Sequence, residues 1–180
     1  MKKIPSLFKR DYKGTRLVYD EVVEGSEWVI NGEGIATRKW DGTACLIQDG
    51  KYYKRYDVKK GRTVPPDFMQ AQEPDTVTGH WPGWVPVSDV APEDKYHREA
   101  WIFRYEDGTY ELCGPKVQGN PEGLDGHRLI RHGADVIEDV PLTFDGLREW
   151  FAGQDIEGIV WHRGNGDMVK MKKKDFGLVR

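Results

Sequence analysis

The amino-acid sequence predicts an α+β domain dominated by antiparallel sheet. Short apolar stretches with strand-like alternation recur along the chain, separated by turns, and the 21 glycines and 10 prolines are spread between them. Asp49-Gly50 lies between two alternating runs, which is typical of a two-residue hairpin turn. The best helical pattern is confined to residues 143–153.

Composition indicates one globular domain without a marked preference for any partner. The 180 residues, 38% hydrophobic and 32% charged, are enough for one well-buried domain and too few for two of ordinary size. The net charge of −3 does not indicate nucleic-acid binding, which would need a local basic patch. No stretch resembles a signal peptide or a membrane span, and the two cysteines lack metal-site or disulfide spacing. We therefore expect a monomeric, cytoplasmic protein with no membrane partner.

The first half of the chain is predicted to consist mostly of strands. Residues 16–23 and 27–32 have the composition of early strands. Residues 43–56 are predicted to form a hairpin around Asp49-Gly50. Residues 63–87 are rich in proline and glycine, so we predict a long ordered loop, and such loops are often functional.

Two helices and three strands are predicted in the second half. Residues 92–103 begin as a helix with a proline in the first turn. Residues 143–153 have Thr143 as N-cap and Gly153 as a stop signal, and their large apolar side chains share one face. The predicted strands are residues 109–114, 156–162 and 168–174.

Charged residues lie beside apolar ones in four of these stretches. They are Lys39-Trp40-Asp41-Gly42, Glu111-Leu112-Cys113-Gly114, Glu157-Gly158-Ile159-Val160 and Lys170-Met171-Lys172. In the last stretch, strand alternation sends both lysines to one face, which suits a polyanion. Alternation also places Glu157 on the same face as Ile159, and a carboxylate that faces a cleft can hold a metal ion.

Each stretch taken alone has an ordinary structural explanation. Lys39 and Asp41 can be explained as an exposed ion pair of little energetic value. Glu111 can be explained as the partner of a cross-strand cation, and the lysine run after residue 169 as a solvated basic segment. The presence of all four stretches in this order favours a functional explanation.

The order KxDG, ELxG, EGIV and KxK is similar to that of the covalent nucleotidyltransferases, which include ATP-dependent DNA ligases, RNA ligases and mRNA capping enzymes. More narrowly, the stretches KWDGTACL, QEPDTVTGHWPGWVPV, YELCGPKVQGNP and IEGIVWH resemble the 5′-to-3′ RNA ligases first recognised in vertebrates. The resemblance runs from about Gly34 to Leu178. It implies an ATP-grasp-like nucleotidyltransferase (adenylation) domain over residues 1–180, with antiparallel sheets around a nucleotide cleft, few helices and no C-terminal oligonucleotide-binding domain.

The resemblance also implies catalytic roles. Lys39 would attack the α-phosphate of ATP and release pyrophosphate, while Lys170 and Lys172 would favour its neutral form and hold the phosphates. Asp41 would orient or activate Lys39. Glu157 would bind a divalent ion, Mg²⁺ or Mn²⁺.

Further residues are implied to bind the nucleotide. Glu111 would accept a hydrogen bond from a ribose hydroxyl, and Arg55 would contact the ribose and the RNA 5′-phosphate. Gly42 would let the backbone approach the nucleotide closely. His132 is our candidate for stacking on adenine, with a purely structural role as the alternative, and Thr37 completes the predicted set.

The activity implied by the resemblance is ATP-dependent RNA ligation. The enzyme would join a 5′-phosphate end of RNA to a 3′-hydroxyl end through a covalent lysyl-AMP intermediate and an adenylylated RNA 5′ end. Two alternatives stay open: a non-catalytic nucleotide or RNA sensor with the same fold, and a capping-type nucleotidyltransferase that uses GTP.

Overall fold

Antiparallel sheets make up most of the regular structure, as the sequence predicts. The computed structural model describes residues 1–102 and 104–180, which form two compact units. We call residues 1–3 and 41–132 the central unit, and residues 4–40 and 133–180 the terminal unit. In the described part of the chain, no helix has the length and apolar character needed to cross a membrane.

Strands outnumber helices along the chain. In sequence order the elements are β1 (Phe8–Arg10), β2 (Val18–Val22), α1 (Glu27–Ile30), β3 (Ile35–Lys39), β4 (Thr43–Gln48), β5 (Lys51–Val58), β6 (Met69–Gln70), β7 (Trp81–Pro86), α2 (Lys95–Ala100), β8 (Gly108–Cys113), β9 (Arg128–Arg131), α3 (Phe144–Ala152), β10 (Gly158–His162) and β11 (Met168–Lys172). Short 3-10 helices precede α2 (Pro92–Asp94) and follow β11 (Lys173–Phe176). The predicted α+β class is confirmed.

The terminal unit contains a three-stranded antiparallel sheet in the order β11-β10-β3 and a separate β1-β2 pair. Helix α3 packs into the same hydrophobic core as these strands, through Leu147 and Phe151, which are fully buried. Ile159 and Met171 face this core from the sheet. The opposite face of the sheet is thereby left for polar side chains.

The central unit is built on a six-stranded antiparallel sheet in the order β6-β7-β5-β4-β8-β9. A second hydrophobic core gathers apolar side chains from β4, β8 and β9 together with the end of α2: Cys45, Ile47, Ala100, Tyr110, Leu112 and Leu129. Both cysteines are buried thiols.

The hairpin and the best helix form where the sequence predicts them. Asp49 and Gly50 both have positive φ angles, 53° and 70°, as the turn between β4 and β5 requires. The Thr143 hydroxyl accepts a hydrogen bond from the backbone N–H of Gly146 at 3.1 Å, and Gly153 follows the last turn of α3. The helix predicted over residues 92–103 forms in part, as a 3-10 turn at Pro92–Asp94 followed by α2, which ends at Ala100; residue 103 lies outside the described residues.

The strand predicted at residues 27–32 is wrong, because the segment forms helix α1. Trp28 and Val29 are adjacent in sequence and both buried, which a strand with one solvated face does not allow. Glu27 accepts a hydrogen bond from the Gly25 N–H, and Gly32 adopts a φ of 83° just after the helix. These local contacts favour a single helical turn over an extended chain.

The loop predicted at residues 63–87 is wrong in part, since it contains β6 and β7. Strand β7 pairs with β5 from Trp81–Val58 to Pro86–Tyr53, despite its two prolines. Trp84 is only 2% exposed and fixes this strand to the sheet. Long-range pairing and aromatic burial therefore outweigh the local turn-forming composition. The strand predicted at residues 168–174 ends at Lys172, and β1, β3 and β9 were not predicted.

The packing of α3 predicts a large difference between two neighbouring substitutions. We expect Leu147→Ala to lower the free energy of unfolding by about 2–5 kcal/mol, because it leaves a cavity in the terminal-unit core. Arg148→Ala is the matched control on the exposed face of the helix. Urea unfolding followed by circular dichroism measures both, and equal effects would contradict the assigned burial.

Candidate active site

Three strand ends bring the predicted catalytic residues of the terminal unit together. Gly158, the first residue of β10, lies directly opposite Lys39 at the end of β3 and Lys172 at the end of β11. A Cβ atom on Gly158 would come within 2.3 Å of the Met171 carbonyl oxygen and 3.0 Å of the Lys172 Cα. The glycine of the EGIV stretch therefore permits the close strand contact that places the two lysines on either side of it.

Glu157 holds both of these lysines. The Lys39 ammonium lies 2.6 Å from Oε2, and the Lys172 ammonium lies 3.2 Å from Oε1. The three side chains are only 12–21% exposed, so solvent screens these ion pairs less than it screens pairs on an open surface. Both carboxylate oxygens are thus engaged by residues predicted to be catalytic.

The predicted orientation of Glu157 is wrong. Ile159 is fully buried in the core, whereas Glu157 lies one residue before β10 and turns toward the lysine-bearing face of the sheet. Strand alternation does not apply to a residue that precedes the strand. The alternation predicted for β11 is confirmed, because Val169 and Met171 are buried in the core and both lysines lie on the opposite face.

Lys170 experiences the strongest electrostatic perturbation in this cluster. Burial, followed by the positive charges of Lys172 and Lys39, lowers the pKa of Lys170 to about 8. Asp175 and Glu157 act in the opposite direction but do not cancel the effect. The ammonium form of Lys170 is therefore disfavoured both by burial and by its positive neighbours.

Thr37 is buried beneath this face. Its hydroxyl donates to the Val160 carbonyl oxygen at 3.0 Å and lies 3.0 Å from His162 Nε2. These contacts join β3 to β10. The nucleotide-binding role of Thr37 stays a prediction.

Residues on both sides of Lys39 are held in place. The Arg38 guanidinium lies over the Trp40 indole, 3.8 Å from its centroid. The indole N–H donates to Asp135 Oδ2 at 2.7 Å. The backbone N–H of Arg38 donates to the backbone carbonyl oxygen of Asp135 at 2.8 Å. Asp135 was not predicted, because no local pattern reveals a partner 95 residues away from Trp40.

The central unit brings together a second group of predicted residues. Glu111, buried in β8, accepts the Gly42 N–H on Oε1 at 3.2 Å and lies 2.7 Å from His132 Nε2 through Oε2. Thr109 Oγ1 lies 3.0 Å from the other His132 ring nitrogen. His132 therefore positions Glu111, and its predicted stacking on adenine stays a prediction.

Gly42 and Asp41 make backbone contacts in the same unit. A Cβ atom on Gly42 would come within 2.1 Å of the Leu112 carbonyl oxygen, so the glycine permits close packing against β8. The Asp41 N–H donates to Glu122 Oε1 at 2.8 Å. Their predicted roles toward Lys39 and the nucleotide stay predictions.

Arg55 lies on β5 with partners of its own in the central unit. Its Nη1 donates to the Met1 carbonyl oxygen at 2.7 Å, and its Nε lies 3.2 Å from Asp57 Oδ1. The guanidinium also lies 4.9 Å from the centroid of the Trp84 indole. The structure does not join Arg55 to Glu111, and its RNA-binding role stays a prediction.

The donor set suits a metal ion that arrives with phosphate ligands. Among the described residues, no group of three or more His, Cys, Asp or Glu side chains could form a metal cage. Glu157 is a single carboxylate between two ammonium groups. Mg²⁺ is commonly held by one or two carboxylates together with substrate phosphates and water, which fits this arrangement.

Comparison with known proteins identifies the family. The family model for RNA ligase 1 matches residues 101–180. The chain is 32% identical to RNA ligase 1 of Pongo abelii, in a match that covers 80% of this chain and 67% of that protein. It is 26% identical to RNA ligase 1 of Rattus norvegicus over 94% of this chain and 76% of the rat protein.

The chain belongs to the RNA ligase 1 family. The predicted resemblance to vertebrate RNA ligases is therefore confirmed.

The perturbed pKa of Lys170 predicts a pH dependence of stability. Because the pKa is lower in the folded state, the unfolded chain binds more protons between about pH 8 and the ordinary lysine pKa of about 10.4. We therefore expect Lys170 to oppose folding below pH 8 and the free energy of unfolding to rise across this window, on the order of 1–3 kcal/mol.

Urea unfolding below and above pH 8 measures this effect. Lys170→Met should be more stable than the wild type at the lower pH. It should also lack the part of the rise in the free energy of unfolding above pH 8 that Lys170 causes. Lys13→Met, at an exposed lysine of the same unit, is the control and should keep the wild-type pH dependence. A wild-type profile parallel to that of Lys170→Met would contradict the prediction.

Proposed function

We propose that this chain is an ATP-dependent RNA ligase with a nucleotidyltransferase fold that carries AMP on Lys39. The observation that carries the proposal is Glu157 holding Lys39 on one oxygen and Lys172 on the other, with Lys170 on the same face of the sheet. The relatives are named RNA ligase 1, which supports RNA as the substrate.

Lys39 is the proposed nucleophile. A pair at 2.6 Å with Glu157 stabilises the ammonium form of Lys39, which cannot attack phosphorus. The pair must therefore loosen before reaction. If Glu157 held the cation of the nucleotide, its carboxylate would no longer be available to Lys39, which would then be free to lose a proton to solvent.

Lys170 and Lys172 are the proposed phosphate-binding residues. Both lie on the same face as Lys39, and the pKa of Lys170 is low because of its burial first and the nearby charges of Lys172 and Lys39 second. An α-phosphate bound there reduces this repulsion. The two ammonium groups then stabilise the charge that develops on the phosphoryl oxygens in the transition state.

Glu157 is the residue that would hold Mg²⁺. The ion would supply charge neutralisation on the phosphate oxygens. Glu157 would have two tasks in this proposal: it anchors the lysines in the free protein, and it would hold the cation when the nucleotide is bound.

The later steps follow from the first. AMP is transferred from Lys39 to the 5′-phosphate of RNA, and the 3′-hydroxyl then attacks that phosphate and releases AMP. In the central unit, Glu111 would bind a ribose hydroxyl, with His132 fixing the position of its carboxylate. Arg55 would contact the 5′-phosphate, which its forked guanidinium suits.

The cellular setting is also part of the proposal. The two cysteines are buried thiols, so the fold is compatible with a reducing cytosol. We propose that the protein acts there as a monomer.

Incubation with ATP and Mg²⁺ should raise the mass of the protein by one AMP in denaturing mass spectrometry. Lys39→Ala should lose the adduct completely, because no other residue supplies the nucleophile. Lys13→Ala should retain it, since Lys13 is exposed and outside the cluster. The wild type should then join RNA with 5′-phosphate and 3′-hydroxyl ends.

Other outcomes have clear meanings. A denaturation-stable adduct on Lys39→Ala would disprove the assignment of the nucleophile. An adduct with GTP but not with ATP would favour the capping-type alternative. Failure of the wild type to form any adduct, with nucleotide binding intact, would favour the sensor.

Glu157→Gln tests the carboxylate separately. This substitution keeps the size of the side chain but removes the charge that anchors two lysines and suits a cation. We expect the rate of adduct formation to fall about a hundredfold or more, as for other electrostatic groups at reacting centres. Glu149→Gln, at an exposed residue of α3, is the control. Near-normal rates for Glu157→Gln across a Mg²⁺ titration would contradict the assignment.

A further inference from the structure

A basic pocket lies in the terminal unit next to the proposed phosphate-binding lysines. Its volume is about 380 Å³, and five of the eight residues that line it carry positive charge: Arg10, Arg16, Lys170, Lys172 and Lys174. Ser6, Leu17 and Asp175 complete the lining. The adenylylation step as described above accounts for only Lys170 and Lys172.

The N-terminal part of the chain builds the far side of this pocket. Ser6 pairs in parallel with Lys170, and the Lys170 N–H donates to the Pro5 carbonyl oxygen at 2.9 Å. Arg10 at the end of β1 and Arg16 in the connection to β2 both lie at the pocket, where Arg10 Nη1 donates to the Arg16 carbonyl oxygen at 2.7 Å.

The one carboxylate among the described lining residues is already engaged. Asp175 is 3% exposed and forms an ion pair with Arg10 through Oδ1. Its Oδ2 accepts the backbone N–H of Lys172 at 3.0 Å. Asp175 therefore fixes the pocket wall and offsets the charge of Arg10, while Glu157, outside the lining, is shared between Lys172 and Lys39. Grouped like charges of this kind are stabilised by binding an anion.

The positive groups follow a definite order across the sheet. Lys39 lies on β3, Lys172 and Lys170 lie two strands away on β11, and the Ser6 segment and the β1-β2 pair lie beyond β11. In a phosphoryl-type displacement, the attacking and leaving atoms lie roughly in line on opposite sides of the phosphorus. A phosphorus held by Lys170 and Lys172 would thus have the nucleophile on one side and the basic pocket on the other.

We propose that the pocket lined by Arg10, Arg16, Lys170, Lys172 and Lys174 binds the β- and γ-phosphates of ATP and the pyrophosphate that leaves. This inference rests on the proposed function and adds a leaving-group site to it. The Lys39 nitrogen forms a bond to the α-phosphorus, and the bond from that phosphorus to the bridging oxygen breaks. The oxygen departs with the electron pair as part of pyrophosphate, and the protons of the lysine nitrogen pass to solvent.

Pyrophosphate fits the pocket better than the phosphate of an RNA chain. The pocket is small and concentrates five positive charges, which suits a compact anion of high charge. It also adjoins the two lysines that would hold the α-phosphate, to which the β-phosphate is covalently linked. An RNA backbone phosphate carries a single negative charge and needs no such concentration of positive charge.

The double variant Arg16→Gln/Lys174→Gln tests the proposal. Both side chains are exposed, so the substitutions remove charge without removing core contacts. Lys13→Gln/Arg148→Gln removes two exposed positive charges of the same unit outside the pocket and is the matched control. Thermal unfolding checks that both proteins remain folded.

Three measurements distinguish pyrophosphate from RNA phosphate as the ligand of the pocket. Calorimetric titration with inorganic pyrophosphate, without nucleotide, should show binding weakened about tenfold or more in the pocket variant alone. Pyrophosphate-driven release of AMP from the adenylylated enzyme should slow to a similar extent at low pyrophosphate. Joining of RNA that is already adenylylated involves no pyrophosphate and should stay within about twofold of the wild type.

Several results would overturn the proposal. Wild-type protein that does not bind pyrophosphate, or a pocket variant that binds it as well as the control does, would show that the pocket is not a pyrophosphate site. Loss of joining with pre-adenylylated RNA, at unchanged pyrophosphate affinity, would assign the pocket to RNA instead. If the wild type forms no AMP adduct, the proposed function fails, while the calorimetric result still decides the pocket.

Discussion

The register of three strands around Gly158 is the constraint on which the terminal unit depends. Lys39, Gly158 and Lys172 lie side by side across β3, β10 and β11 only in this register. A shift of one residue in either pairing would turn a lysine toward the core. The side chain missing at Gly158 makes the close contact with β11 possible, and Glu157, the residue before it, can then bridge both lysines.

The distribution of charge follows from this register. One carboxylate is shared by two lysines, Asp175 is used by Arg10, and Lys170 lacks a comparably direct acidic partner among the described ion pairs. Burial, and after it the charges of Lys172 and Lys39, lowers the pKa of Lys170. A protein that keeps such a deficit of negative charge gives up folding free energy, and this free energy becomes available when a polyanion binds.

Local chemistry explains what could be predicted from the sequence. The Asp49-Gly50 turn and the caps of α3 depend on neighbouring residues, so their patterns were sufficient. Strand β7 depends on pairing with β5 and on burial of Trp84, and helix α1 on burying two adjacent apolar residues. These are tertiary effects, which outweigh the local preferences that the sequence displays.

The same distinction applies to the candidate site. The order of short stretches identified Lys39, Glu157, Lys170 and Lys172, and the structure brings all four to one face of a sheet. Their partners were not predictable, because Asp135 and Asp175 belong to no stretch and act through distant contacts. The first 33 residues carry none of the stretches, yet Arg10 and Arg16 extend the row of positive charges that begins at Lys39. If Lys39 is the nucleophile and Lys170 and Lys172 bind phosphate, as proposed, this N-terminal segment has a chemical reason to pack beside β11. It is then the part of the unit that would meet the leaving group.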